Sequence, residues 1–184
     1  MEEDRKRWNK KYSEGNYLTE VNKAVVEYSK LAKGKNALDI AAGMGRNSKY
    51  LVEHGFSVDA VELSDVAVEN LKRIKGLNVI QADLDNYILE PDKYDLIICI
   101  NYLNRQLFPL IKNALRPAGI LIYETLMRGE ETDKLHRNPL FLVKPGELRE
   151  AFNTLKVLKY NEFIDYNKNN QSINKALLVA KKNI

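Results

Sequence analysis

The feature that constrains the fold most is a repeated succession of a short apolar run and a segment with helical spacing. Apolar runs typical of buried strands cover residues 37–41, 57–63, 79–82, 94–100 and 120–126. Helix-like segments follow at 47–54, 65–74 and 103–115. Because alternating strands and helices build a parallel sheet with helices packed on both faces, the sequence predicts an α/β fold.

The end of the chain breaks this alternation. A helix is predicted to begin near Pro145, and the strand-like segments 156–164 and 173–181 follow it. Only the polar stretch 167–172 joins these two segments, so we expect an antiparallel hairpin at one edge of the sheet. The expected sheet is therefore seven-stranded and mostly parallel, with its last strand reversed.

Length and composition fit one compact domain. The chain has 184 residues, 45% of them hydrophobic, and a single cysteine, Cys99, within the apolar run 96–100. A lone cysteine forms no internal disulfide and no multi-cysteine metal site, so we expect Cys99 in the core and no bound metal. The charged N-terminus and the short apolar runs predict a cytoplasmic protein without membrane contact.

The formal net charge of +4 is distributed unevenly. Residues 1–35 carry 9 basic and 6 acidic side chains, residues 36–126 carry 9 and 12, and residues 127–184 carry 11 and 7. The regional balance is therefore +3, −3 and +4. Two interpretations stay open: basic flanks that guide anionic substrates, or an ordinary lysine-rich solvated surface.

The most informative segment, residues 37–47, combines a strand, a glycine turn and the start of a helix. Gly43 and Gly45 let the backbone approach a ligand closely, and the helix that follows offers unpaired N–H groups at its positive end. Glu62 comes 19 residues after Gly43, where a carboxylate accepts hydrogen bonds from both hydroxyls of a ribose. These features predict a ribose-bearing cofactor.

Two cofactor classes use such a turn. A dinucleotide fingerprint requires a third glycine, and Ser48 stands at that position. Asp39, four residues before Gly43, instead lies where an acid reaches the ammonium group of an amino-acid moiety. The residues therefore favour a cofactor that carries both a ribose and an amino acid over a nicotinamide dinucleotide.

With these residues the chain resembles the class I S-adenosylmethionine-dependent methyltransferases. Their first motif matches residues 39–45, their second-strand acid matches Glu62, and their adenine-binding position matches residues 81–84. Ala41 and Ala42 depart from the pattern, which has glycine nearer the start of the turn. The resemblance implies a Rossmann-like fold, S-adenosylmethionine as cofactor and S-adenosylhomocysteine as product. It also implies cofactor contacts at Asp39, Ala41, Gly43, Gly45, Arg46, Asn47, Glu62, Leu63, Asp83, Leu84 and Asn101.

Within that superfamily the chain is similar, nearly end to end, to the small bacterial tellurite-resistance methyltransferases. The matching segments are 45–51, 143–149, 159–162 and 176–182. One departure concerns the acceptor, since those proteins carry histidine and arginine between the last two strands, where this chain has the stretch 167–172. The resemblance implies methyl transfer and leaves thiols, metalloid oxyanions and other small anions as candidate acceptors.

The acceptor side of such a sheet lies at the carboxyl ends of the fourth and fifth strands, which here lead into residues 101–105 and 123–128. Tyr102 and Arg105 are candidate catalytic residues there, and a packed aromatic is the alternative role for Tyr102. Asn101 opens a segment without the two prolines of adenine N6 methyltransferases, which argues against a nucleic-acid base as acceptor.

The segment 127–144 is long and polar for a connection and is interpreted as a lid. His136 and Arg137 are candidate catalytic residues that, together with Arg128, would bind an anionic acceptor. As a histidine, His136 would also be able to move a proton near neutral pH. The alternative is a mobile, solvated loop.

The N-terminal segment places Trp8 and Tyr12 four residues apart, on one face of a predicted helix. In the resembled family such an arm folds over the cofactor, so both residues are candidate cofactor contacts. Aromatic faces attract a sulfonium through cation–π interaction, worth about 0.5 to 2 kcal/mol. An anchor packed on the core is the alternative role.

We therefore predict one methyltransferase domain with four parts: a helical arm (1–35), a cofactor-binding core (36–126), the lid (127–144) and a helix with the terminal hairpin (145–184). The leading hypothesis is an S-adenosylmethionine-dependent enzyme with a small-molecule acceptor, present as a monomer or small homo-oligomer. Two alternatives stay open: an RNA or protein methyltransferase, suggested by the basic flanks, and a non-catalytic S-adenosylmethionine-binding regulator.

Overall fold

The computed structural model describes residues 2–135 and 138–184, so the predicted site residues His136 and Arg137 lie outside the described residues. Within these ranges the strands are β1 (Asn36–Ile40), β2 (Ser57–Glu62), β3 (Leu77–Gln81), β4 (Tyr94–Ile100), β5 (Leu115–Leu126), β6 (Lys156–Tyr166) and β7 (Ser172–Lys181). The α-helices are α1 (Glu2–Ser13), α2 (Lys23–Tyr28), α3 (Arg46–Glu53), α4 (Asp65–Leu71), α5 (Leu107–Ala114), α6 (Glu130–Leu135) and α7 (Glu147–Ala151), and 3-10 helices cover Ser29–Leu31 and Pro139–Phe141. No helix in the described ranges has the length and apolar character needed to cross a membrane.

The strands join in one sheet with the order β3-β2-β1-β4-β5-β7-β6. Neighbours from β3 to β5 are parallel, and β7 runs antiparallel to both β5 and β6. The predicted fold class, a mostly parallel seven-stranded sheet with a C-terminal antiparallel hairpin, is confirmed. The strand order reverses between β1 and β4, and such a reversal opens a crevice at the carboxyl ends of these two strands.

Each face of the sheet carries an apolar layer. On one face the strands pack against α5 and α7, and the large side chains of this layer include Leu38, Ile97, Phe108, Tyr123 and Phe152. On the other face α2 and α3 cover the strands, and this layer includes Val25, Leu51, Leu96, Ile98 and Ile122. Cys99 is fully buried in the first layer, as predicted.

Two elements begin four or five residues away from the predicted position. Helix α5 begins at Leu107 and not near residue 103, because the side chain of Asn104 accepts a hydrogen bond from the Gln106 N–H and holds a turn there. Strand β5 begins at Leu115 and not at residue 120, and it contains an irregularity with Ala118 at φ +65°. Hydrophobic periodicity does not detect such local backbone features.

The segment 127–144, predicted as a lid, contains helical structure. A bridge between Met127 and Val143 joins its two ends. Helix α6 lies between them and contacts β7 through the buried Thr132, whose N–H donates to Asn174 Oδ1 at 3.3 Å. The start of this segment is therefore docked on the terminal hairpin.

Candidate active site

The turn between β1 and α3 contains three residues with left-handed backbone conformations. Their φ angles are +56° at Ala41, +57° at Gly43 and +85° at Gly45. Glycine adopts such angles without strain, whereas the Cβ of alanine comes too close to the following carbonyl oxygen. Ala41 is one of the two positions at which the sequence departs from the glycine pattern, and its left-handed backbone is kept at a cost in strain.

The two glycines of the turn are needed for different reasons. A Cβ on Gly43 would lie 3.0 Å from the hydroxyl oxygen of Tyr12, so a side chain there would press against the N-terminal helix. A Cβ on Gly45 would lie 2.6 Å from Leu71 Cδ2 and 2.8 Å from Ile74 Cδ1. Gly43 therefore lets Tyr12 approach the bare backbone of the turn, and Gly45 allows α3 to pack closely on the α4 region.

Asp39 lies at the end of β1 with only 2% of its surface exposed. Its Oδ2 accepts a hydrogen bond from Ser48 Oγ at 2.6 Å. Burial raises the pKa of Asp39 to about 7, although the Ser48 hydroxyl and the Arg46 guanidinium oppose the shift. Because its protein neighbours stabilise the charged form of this buried carboxyl so little, a ligand that brings a positive charge would suit it.

Glu62, the last residue of the neighbouring strand β2, accepts a hydrogen bond from the turn. Its Oε1 accepts from the N–H groups of Leu63 and Ser64, and its Oε2 accepts from the N–H of Gly43, each at 2.8 Å. Burial raises the pKa of Glu62 against the effect of these three N–H groups. Since each carboxylate oxygen has two acceptor positions, Oε2 keeps one for a ligand hydroxyl, whereas Oε1 is saturated.

Helix α1 covers the turn. The rings of Trp8 and Tyr12 stack with centroids 5.4 Å apart, which brings the predicted pair together on one helical face. Burial raises the pKa of Tyr12, and the charges of Glu62 and Asp39 add to the effect. Asn9 anchors the helix, because its Oδ1 accepts from Ser64 Oγ at 2.6 Å.

The predicted adenine segment follows β3 as a turn. Asp83 Oδ1 accepts from the N–H of Asp85 at 3.0 Å, which is the geometry of a turn-capping aspartate. Leu84 is buried in the core layer beneath it. Asp83 remains half-exposed at this end of the sheet.

The carboxyl end of β4 forms the edge at which an acceptor is expected. Asn101 has φ +59°, and its N–H donates to the backbone carbonyl of Glu124 at 2.7 Å. The backbone carbonyl of Tyr102 accepts from the Tyr123 hydroxyl at 3.1 Å, and burial raises the pKa of the half-buried Tyr102 to about 12. Tyr102 is therefore a hydroxyl donor at neutral pH.

Arg105 is committed to the segment that leads into α7. Its guanidinium forms a two-point contact with the carboxylate of Glu147 and donates to the backbone carbonyls of Leu140 and Leu142 at 2.9 and 3.0 Å. Of the predicted site residues, the structure brings together Tyr12, Asp39, Gly43 and Glu62 with Arg46 beside them. Arg105 does not join this group.

A buried polar network was missed by the sequence reasoning. Lys175 Nζ lies 3.1 Å from Glu124 Oε1 and 2.9 Å from Asp165 Oδ2, and the Lys175 and Glu124 side chains are each only 7% exposed. Asn22 donates from Nδ2 to the same Glu124 oxygen at 2.8 Å, and its backbone N–H donates to Asn47 Oδ1 at 3.0 Å. Asn47, predicted as a cofactor contact, thereby joins the start of α3 to the N-terminal segment. The sequence signal that could have revealed this network is the pair of opposite charges at inward-facing positions of two apolar strands.

The family of the chain is shown by comparison with known families. The family model described as tellurite resistance protein TehB matches residues 3–178. The chain belongs to the TehB family. The resemblance found in the sequence is thereby confirmed.

Among curated proteins, the probable S-adenosyl-L-methionine-dependent methyltransferase TehB of Haemophilus influenzae (strain 10810) is 29% identical over 192 residues. The alignment covers 95% of this TehB-family chain and 65% of the relative, so the chain spans just under two thirds of that protein's length.

Solved structures show the same fold. The crystal structure of TehB from Haemophilus influenzae superposes with a TM-score of 0.76 at 23% identity, over 94% of this chain and 66% of that one. The 1,6-didemethyltoxoflavin-N1-methyltransferase of Burkholderia thailandensis, solved with S-adenosylhomocysteine bound, superposes with a TM-score of 0.70 at 16% identity, over 98% and 87%.

Proposed function

We propose that this TehB-family chain transfers the methyl group of S-adenosylmethionine to a small acceptor. The observation that carries the proposal is the common position of Asp39, Gly43 and Glu62, which combine a buried acid, bare backbone and a second buried acid at the crevice of the sheet. The Haemophilus influenzae relative, named a probable S-adenosyl-L-methionine-dependent methyltransferase, supports the same activity.

The residues present fit this cofactor. Burial raises the pKa of both Asp39 and Glu62, so both carboxylates gain from a ligand that carries a sulfonium and an ammonium group. We assign Asp39 to the ammonium group, Glu62 Oε2 to a ribose hydroxyl, Asp83 to the adenine amino group and the bare backbone of Gly43 to close approach. When bound, the cofactor supplies an electrophilic methyl group.

The chain itself contributes orientation and the exclusion of water, which an in-line displacement requires. Trp8 and Tyr12 lie over the turn as a cover. We assign Tyr102, which follows β4, to the wall of the acceptor pocket. We assign Arg105 to holding the segment 140–147 in place, because its hydrogen bonds go to that segment. His136 and Arg137 stay candidate contacts of an anionic acceptor.

The acceptor is proposed to be a thiol, a metalloid oxyanion or another small anion, methylated in the cytoplasm. A methyl-release assay on the full chain, with tellurite, selenite, small thiols, halides and bulk tRNA as acceptors, tests this proposal. Asp39→Asn is the test variant, and Asp92→Asn is the matched control, because Asp92 is exposed and pairs with Lys182 away from the crevice.

We expect turnover on at least one small acceptor, loss of that turnover in Asp39→Asn and its retention in Asp92→Asn. Turnover on tRNA alone would replace the proposal with an RNA methyltransferase. Cofactor binding without turnover on any acceptor would instead favour a non-catalytic regulatory protein.

A further inference from the structure

Asn22 is a buried polar residue that joins α2, β5 and α3. It is the N-cap of α2, and its Oδ1 accepts from the N–H groups of Ala24 and Val25 at 2.9 and 3.3 Å. Its Nδ2 donates to Glu124 Oε1 on β5 at 2.8 Å, and its backbone N–H donates to Asn47 Oδ1 on α3 at 3.0 Å. Capping a helix requires only the side-chain oxygen, so the amide nitrogen of Asn22 has a separate role.

The carboxylate of Glu124 is a fixed anchor for this amide nitrogen. Glu124 is buried, and its Oε1 also accepts from Lys175 Nζ at 3.1 Å. An oxygen of a carboxylate has two acceptor positions, and the amide and the ammonium group occupy both. Glu124 and Lys175 lie on β5 and β7, which are paired strands of the sheet. Asn22 is therefore held directly against the sheet.

The backbone N–H of Asn22 reaches the first turn of α3. Asn47 is buried there, and Ser48, the next residue, donates from its hydroxyl to Asp39 Oδ2 at 2.6 Å. A hydroxyl donor favours the charged form of a carboxylate, which is the form that binds a cation. Because Asn47 and Ser48 are consecutive in one helical turn, a bond that fixes Asn47 also fixes the direction from which Ser48 reaches Asp39.

A second contact holds the start of α3 against the same part of the N-terminal segment. Arg46, the first residue of α3, donates from Nη1 to the backbone carbonyl of Glu20. Gly45, the N-cap of this helix, has no side chain with which to cap it. The polar groups of Arg46 and Asn47, which the resemblance placed at the cofactor, are thus engaged by residues 20–22.

We propose that Asn22 is a positioning residue for S-adenosylmethionine: anchored on Glu124, it fixes the first turn of α3 so that Ser48 holds Asp39 in place for the ammonium group of the cofactor. The inference rests on the proposed function and adds to it a residue that does not itself touch the cofactor. Asn22 acts through Asn47, so the two residues contribute to cofactor binding as one unit.

Asn22→Ser is the test variant, because serine keeps an oxygen for capping α2 and loses the amide that donates to Glu124. Asn78→Ser is the matched control. Asn78 is exposed at the amino end of β3, opposite the crevice, and donates from Nδ2 to Asp59 Oδ1 at 2.7 Å, so the same kind of bond is lost there. Hydrogen exchange of residues 43–51 is measured on the full chain without cofactor, and S-adenosylmethionine affinity is measured by calorimetry.

We expect faster exchange of residues 43–51 and an affinity about tenfold lower in Asn22→Ser, and neither change in Asn78→Ser. Undiminished affinity in Asn22→Ser would overturn the inference. So would faster exchange throughout the chain together with a lower melting temperature, because Asn22 would then support the fold as a whole. Faster exchange of residues 43–51 in a chain whose wild type binds no S-adenosylmethionine would contradict the proposed function and leave the fixing of α3 by Asn22 intact.

A second set of variants tests whether Asn22 acts through Asn47. Asn47→Ala removes the acceptor of the Asn22 N–H, and Asn47→Asp keeps one. We expect Asn47→Ala to lower the cofactor affinity as Asn22→Ser does, and Asn47→Asp to retain it. The double variant Asn22→Ser with Asn47→Ala should bind no more weakly than Asn47→Ala alone, since residues that act as a unit are not additive. Additive losses would overturn the inference.

Discussion

The backbone N–H of Gly43 donates a hydrogen bond to Glu62 Oε2 at 2.8 Å, which ties the turn after β1 to the end of β2. The same carboxylate accepts two further N–H groups at the start of the next loop. Glu62 thus holds both loops that border the crevice through hydrogen bonds within the protein alone.

Glu62→Gln is expected to lower the free energy of unfolding by about 1 to 3 kcal/mol, because the amide NH₂ faces a buried N–H where an oxygen had accepted. Urea unfolding of the variant checks this. Glu69→Gln is the control, since Glu69 is exposed on α4 and pairs with Lys72. Equal losses in the two variants would show that the hydrogen bond replaced by the amide NH₂ does not stabilise the fold.

Ala41→Gly is expected to raise the free energy of unfolding by up to about 1 kcal/mol, because glycine relieves the strain of the left-handed backbone at this position. Ala42→Gly is the matched control. Ala42 is buried and is not among the residues with positive φ, so its replacement should lower stability. Thermal unfolding of the two variants is the measurement. Destabilisation by Ala41→Gly would show that the backbone at Ala41 is not strained.

Much of the fold could be predicted from hydrophobic periodicity, because the buried strands read as continuous apolar runs. The run 94–100 matches β4 from end to end. The stacking of Tyr12 on Trp8 could be predicted from the four-residue spacing of the two residues. By contrast, the partners Glu124 and Lys175 lie 51 residues apart, and each interrupts an apolar strand when considered alone. Pairings of this kind depend on sheet register, which local sequence patterns do not specify.

Lys175→Met is expected to lower the free energy of unfolding by about 3 to 5 kcal/mol, because it leaves the buried carboxylate of Glu124 without its cation. The double variant Glu124→Met with Lys175→Met removes both charges and should recover most of that loss. Urea unfolding of the single and double variants forms the test. If the double variant were as unstable as Lys175→Met alone, the pairing of Glu124 with Lys175 would be contradicted.

The raised pKa of Asp39 predicts a pH dependence of stability. Between about pH 4 and 7 the folded chain keeps a proton on Asp39 that the unfolded chain has released, so rising pH lowers the free energy of unfolding. Asp39→Asn removes this contribution and keeps an acceptor for Ser48. We expect the variant to gain stability relative to the wild type from pH 4 to pH 7, measured by urea unfolding. A constant difference between the two would show that burial does not shift this carboxyl.

Arg105→Gln is expected to loosen the segment 140–147, because it removes the contact with Glu147 and weakens the bonds to the Leu140 and Leu142 carbonyls. Limited proteolysis should then cut this segment faster, whereas the affinity for S-adenosylmethionine stays unchanged. Arg73→Gln, at an exposed position, is the control. A loss of cofactor affinity without faster cleavage would give Arg105 a direct role in the site.

We propose that Asp39 and Glu62 hold S-adenosylmethionine at the carboxyl edge of the sheet. Calorimetric titration of the full chain with this cofactor, in the wild type and in the Asp39→Asn and Glu62→Gln variants, is the decisive measurement. We expect binding of one cofactor per chain and an affinity at least about tenfold lower in each variant that remains folded. Absence of binding in the wild type, or undiminished affinity in both variants, would contradict it.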